Sequence, residues 1–144
     1  MELNIKRFDE LTTRELYEIL RCRSVVFVLG QECVYQDVDE LDFCSTHVYF
    51  SENGRIMAYL RVIDPGVKYE SASIGRVLTM DEFRGHGLAR SLMIEGIKIG
   101  KSRAKAIEIE AQAYLRDFYK SLGFREISEV FMLENIPHIS MKLE

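Results

Sequence analysis

Arg84-Gly85-His86-Gly87-Leu88-Ala89 is the stretch whose residue types and spacing most directly suggest chemistry. It follows an apolar, strand-like run and precedes a segment with helical periodicity. Glycines let a backbone approach a ligand closely and adopt positive φ. A helix start leaves N–H groups unpaired with the helix dipole behind them, which suits a phosphate anion. Arg84 adds a fixed positive charge. Two other phosphate loops are excluded. This loop does not end in Gly-Lys-Ser/Thr, and Arg90 stands where a dinucleotide loop needs its third glycine. A plain tight turn that starts a helix also fits these six residues.

Other chemistry-bearing residues point less far. Cys22, Cys33 and Cys44 are odd in number and eleven apart, with no C-x-x-C pair, so neither a zinc site nor a disulfide framework is expected. Reduced thiols in a cytoplasmic protein are the reading. Asp37-Val38-Asp39 could open a calcium loop, but Asp42 replaces the required glycine and Val48 the closing glutamate. No metal is expected. Glu32, Asp37, Asp39, Glu40 and Asp42 form an acidic segment, read either as a rim that attracts a cationic amine or as a solvated loop.

The elements that must position these residues can be traced along the chain. Alternation in Leu3, Ile5 and Phe8 suggests a short first strand. Thr12 and Glu15 stand at capping-box spacing, with Leu11 and Leu16 as a hydrophobic staple. Leu16, Ile19, Leu20, Val26 and Phe27 then continue at helical period. Gly30 to Ser45 lacks periodicity and reads as a long surface segment. Asn53-Gly54 between His47–Phe50 and Ile56–Ile63 marks a hairpin. Strands follow at Ser73–Met80 and Ala106–Ala111, with a helix over Leu88–Ser102 between them. Leu115, Phe118, Tyr119 and Leu122 make a short helical stripe stopped by Gly123. Val130–Leu133 and Ile139–Leu143 supply strands around Asn135-Ile136-Pro137. The order β-α-β-β-β-α-β-α-β-β predicts an α/β fold with a mixed, mostly antiparallel sheet and helices packed on it. At 144 residues, 1–144 is expected to be one domain. A net charge of −4 argues against nucleic acid as a partner. No apolar run is long enough for a membrane span, and the charged N-terminus lacks the pattern of an export signal.

Arg84 to Ala89 matches the R/Q-x-x-G-x-G/A pyrophosphate loop of the GNAT family of N-acetyltransferases. The family's second signature, N-x-x-A-x-x-[LF]-Y-x-x-x-G-F, is met by Gln112 to Phe124, with Gln112 for Asn and Leu115 for Ala. The chain thus resembles that family. Arg21 to Phe27, Gln31-Glu32-Cys33, Tyr35-Gln36-Asp37, Asp42 and Ile136-Pro137-His138-Ile139 resemble its ElaA-like group.

The resemblance implies a sheet splayed where CoA enters, with helices on both faces, and transfer of acetyl from acetyl-CoA to a primary amine. Val77, Leu78 and Thr79 would lend backbone groups to the pantetheine arm. Arg84, Gly85, His86, Gly87, Leu88 and Ala89 would hold the pyrophosphate, with Gln112, Leu115, Phe118 and Tyr119 completing the CoA site. Tyr119 would protonate the departing thiolate, or else serve as a core aromatic on its stripe. Leu78 would donate its backbone N–H to the thioester carbonyl. An alkylammonium must lose a proton before attack. Glu110, which shares a strand face with Glu108 and Gln112, Glu32 in the acidic segment, and His47 near the sheet centre are the candidate bases. A CoA-binding module without catalysis is the alternative. The acceptor and the range of acyl groups stay unassigned, and homodimer formation is left open.

Overall fold

The computed structural model describes residues 1–144. Its strands are β1 (Glu2–Arg7), β2 (Ser45–Glu52), β3 (Arg55–Ile63), β4 (Ala72–Thr79), β5 (Ile107–Gln112), β6 (Arg125–Glu126), β7 (Phe131–Leu133) and β8 (Ile136–Leu143). The helices are α1 (Thr13–Arg23), α2 (Leu88–Arg103) and α3 (Arg116–Ser121). All eight strands join one sheet in the order β1-β2-β3-β4-β5-β8-β6, with β7 also paired to β8. The mixed, mostly antiparallel α/β architecture read from the sequence is correct, and the two-residue β6 is an addition to it.

Helices cover both faces. Alternation along β3 sends Ala58, Leu60 and Val62 into a core that also holds Leu92 and Met93 of α2. Tyr59, on the opposite face, packs with Ile19 and Cys22 of α1. Burial on both faces explains why residues 48–50 and 56–60 are apolar without alternation. The first strand behaves otherwise: Leu3 and Ile5 are 43% and 46% exposed. They lie on an edge strand that no helix covers.

Thr12 caps α1 as its sequence predicts, accepting from the Glu15 N–H at 3.1 Å while the Glu15 carboxylate takes the Thr12 N–H at 2.8 Å. Beyond α1 the chain winds into a π-helical segment, Ser24–Leu29, closed by the Gly30 N–H donating to the Val25 carbonyl at 2.8 Å. Such wider turns often occur at functional sites. This one places Val26 and Phe27 on the cleft described below.

Only β4 and β5 run parallel, and they pair at just two positions, Ala72 with Ile107 and Ser73 with Glu108. Past Ser73 the strands part. On its other side β4 carries a bulge: Tyr59 faces Leu78 and Arg61 faces Gly75, so Arg76 and Val77 oppose the single residue Leu60. Arg76 adopts φ +53°. Left-handed backbone at a non-glycine costs about 1–3 kcal/mol and persists where its surroundings hold it.

Asp37 and Asp39 supply that hold directly, and Asp42 braces the arginines around them. Asp37 binds Arg23 Nε at 2.8 Å with one oxygen and Arg76 Nε at 2.9 Å with the other. Asp39 takes both terminal nitrogens' worth of Arg61, at 2.8 and 2.6 Å. Asp42 accepts from Arg23 at 2.6 Å and from Arg61 at 3.0 Å. Arg23 and Arg61 are almost wholly buried. The acidic segment therefore divides: Glu32 and Glu40 are exposed, as a solvated loop would have them, and the other three neither attract an amine nor stand free. Its Asp37, Asp39 and Asp42 are spent on arginines that tie α1, β3 and the β4 bulge together.

Candidate active site

The divergence of β4 from β5 opens a cleft of about 620 Å³. One end is the loop before α2. Gly85 and Gly87 have φ of +84° and +73°, and a Cβ at either would meet nothing within 4 Å. Their glycine requirement is therefore one of backbone conformation, and the space beside them is free for a ligand. The first helical bond runs from the Ser91 N–H to the Gly87 carbonyl at 3.1 Å. The N–H groups of Gly85, His86, Gly87, Leu88, Ala89 and Arg90 have no protein acceptor. A run of unpaired donors at the positive end of a sixteen-residue helix is a fitted cradle for a diphosphate.

Arg84 is exposed at this end, weakly tethered to Asp81 at 3.2 Å. Arg90 joins it, bonded to Ser121 at 2.6 Å and lying 5.4 Å from the Phe118 ring centre. Sequence reasoning treated Arg90 only as a missing glycine. In the fold it is a second cation at the mouth of the loop. The His86 side chain is exposed and does not line the cleft, so only its backbone N–H is available to a ligand of this loop.

Along the open side of β4, the ladder phase corrects one assignment. Met80 donates its N–H to Met57 of β3 at 2.9 Å. In antiparallel pairing alternate N–H groups point the same way, so the Leu78 N–H also turns toward β3. Alternation then assigns Val77 and Thr79 to the cleft side. Leu78 instead packs its side chain with Tyr59 and Ile19.

Tyr119 lines the cleft from α3 and is 6% exposed. Its ring meets Phe118 and Phe124 edge-on, at 5.1 and 6.1 Å between centres. The hydroxyl makes no hydrogen bond within the protein, yet it is not sealed, since Arg61 Nε is the one sealed and unpartnered side-chain nitrogen or oxygen. It therefore opens to the cleft. Burial pushes its pKa up to about 12, which keeps the proton on the phenol. Leu115 and Phe118 line the same wall, and Gln112 ends β5 with its amide unengaged.

The three bases expected from sequence fare differently. Glu110 lines the cleft but is held by Tyr69 at 2.8 Å and Lys68 at 2.9 Å. Burial would raise its pKa, but the bonds from Lys68 and Tyr69 outweigh burial and lower it. Held as an anion, it is a weak proton acceptor. His47 does not reach the cleft. It is fully buried, with Nδ1 taking the Tyr59 hydroxyl proton at 2.7 Å and Nε2 donating to the Asp42 carbonyl at 3.0 Å. Burial lowers its pKa, so it stays neutral as a structural bridge. Glu32 is exposed and outside the cleft, although Gln31, Cys33 and Tyr35 line it.

A sequence model described as "Acetyltransferase (GNAT) domain" matches residues 26–144. The chain belongs to the GNAT acetyltransferase family. Escherichia coli ElaA is 34% identical over 140 residues, covering 94% of this chain and 92% of that one. Its crystal structure superposes with a TM-score of 0.92 over 99% of both chains. A UPF0039 protein of Schizosaccharomyces pombe is 34% identical, covering all of this chain and 97% of its own. The crystal structure of an acyl-CoA N-acyltransferase from Pseudomonas aeruginosa matches with a TM-score of 0.93 and 33% identity over the full length of both. The ElaA-like likeness and the open, helix-flanked GNAT sheet expected from sequence both hold.

Proposed function

We propose that this GNAT protein transfers acetyl from acetyl-CoA to a primary amine of a small molecule or peptide. The observation that carries the reading is the row of unpaired N–H groups from Gly85 to Arg90, opening on the same cleft as the free Tyr119 hydroxyl. The loop, Arg84 and Arg90 would hold the diphosphate of CoA. The pantetheine arm would run along the unpaired side of β4, bonding to Val77 and Thr79, with Gln112 across from it. The thioester carbonyl would then lie at the bulge, where Val77 and not Leu78 offers its N–H to the developing oxyanion. Tyr119 would give its proton to the sulfur as the carbon–sulfur bond breaks. Holding both substrates in one cleft removes much of the entropic cost of their encounter.

Thiol release from acetyl-CoA, measured with butylamine, spermidine and a lysine-containing peptide, tests this reading. Amine-dependent release with acetylated product by mass spectrometry is expected. Stabilisation by CoA with no release above background would instead make the protein a CoA-binding module.

A further inference from the structure

We propose that His138 is the general base of this site, taking the proton from the incoming amine at Nε2. The inference rests on the acetyl-transfer reading above. His138 stands on β8, 8% exposed, and lines the cleft. Its Nδ1 lies 2.7 Å from the Ile136 carbonyl. A carbonyl can only accept, so Nδ1 carries the ring proton and Nε2 the lone pair. Nε2 has no partner in the protein and is not sealed from solvent. Since the residue lines the cleft, that is where the lone pair opens.

The ring is also held in place. Phe131 of β7 stacks on it, 6.2 Å between centres and 27° between planes. In the sheet His138 lies directly opposite Gln112 of β5, and Glu110 opposite Ser140. Partners in antiparallel strands share a face. His138, Gln112 and Glu110 therefore face the cleft together, with Lys68 and Tyr69 bonded to Glu110 beside them. Tyr35, Cys33 and Glu134 also line the cleft. Glu110 spends its oxygens on Tyr69 and Lys68, whereas His138 Nε2 keeps an uncommitted lone pair on the cleft.

The proton balance is complete. His138 Nε2 takes one proton from the ammonium and passes it to solvent after turnover. The amine lone pair forms the C–N bond, and the C–S bond breaks with its electron pair on sulfur. The second nitrogen proton leaves to solvent, while Tyr119 protonates the thiolate and regains a proton from solvent.

Kinetics of His138→Ala and His138→Gln with acetyl-CoA and the best alkylamine substrate would test the assignment. The expected result is a fall in kcat of roughly 10²- to 10⁴-fold with little change in the KM for acetyl-CoA. Added imidazole should restore part of the Ala variant's rate and leave the wild type unchanged. With hydroxylamine, which is already unprotonated at neutral pH, the loss should shrink, after correction for its uncatalysed reaction. A purely structural histidine would show neither rescue nor this dependence on acceptor. Near-wild-type kcat in either variant, or an equal loss with both acceptors and no rescue, overturns the proposal. Wild-type protein that releases no thiol with any amine overturns the functional reading itself, a result distinct from either.

Discussion

A hydroxyl that is buried, uncommitted and open to a cleft is a proton held in reserve, and Tyr119 has that state. In Tyr119→Phe the ring keeps its edge contacts with Phe118 and Phe124, so folding should change little. Turnover should fall by roughly 10²- to 10⁴-fold while the KM for acetyl-CoA stays close to wild type. Unchanged turnover would leave the thiolate to be protonated by water. The sequence made Tyr119 legible because its signature is contiguous. His138 was legible only as part of Ile136 to Ile139, because its placement depends on pairing with Gln112, twenty-six positions earlier. The Leu78 assignment failed for the same reason: the direction of an N–H is set by ladder phase, which local composition does not encode. His47 was misplaced because a strand position near the sheet centre says nothing about which groups seal it.

At the scale of elements, the turn into α2 depends on Gly87 holding φ +73° at the N-cap. Valine there is strained by its backbone and fills the space beside the unpaired N–H groups. Gly87→Val should lose CoA binding by calorimetry by more than tenfold while the circular dichroism of the sheet is kept. Retained affinity would mean that the diphosphate sits elsewhere. The acidic segment makes a second prediction. Burial would raise the pKa of Asp39, but the Arg61 bonds outweigh it and hold the value at about 2. Asp42 is likewise lowered, against burial, by Arg23 and Arg61. A carboxylate depressed on folding lends stability above its unfolded pKa of about 3.9, and that stability is lost as pH falls toward the folded value. Melting temperature should therefore drop steeply between about pH 4 and pH 2. Asp39→Asn should blunt that drop and lower stability at pH 7, where buried Arg61 would keep only the Asp42 carboxylate. An Asn variant with the full acid dependence would assign it to other carboxylates. Sequence showed the acids but not their partners, since Arg23, Arg61 and Arg76 lie on three separate elements.

For the whole molecule, binding in a cleft between two halves of one sheet should stabilise the fold by mass action. At 100 times its dissociation constant, CoA contributes about 2.7 kcal/mol, enough to raise the melting temperature by several degrees. Hydrogen exchange at Val77 and Thr79 should slow on binding, while Leu78, bonded toward β3, changes less. Equal slowing at all three would contradict the ladder phase. The overall α/β plan was legible because strand alternation and helix periodicity are local signals. The splay was legible only through the family resemblance, because physically it follows from how few residues β4 and β5 share. That short pairing has one more consequence. Most proteins carry their vacant strand edges at the rim of a sheet, where a neighbouring chain can zip onto them and seed aggregates. Here a vacant edge, from Ile74 to Thr79, is recessed between two walls of the same molecule. A protein strand would have to bring side chains on both faces between those walls, whereas a slender extended chain with amide groups at intervals could complete the ladder without them.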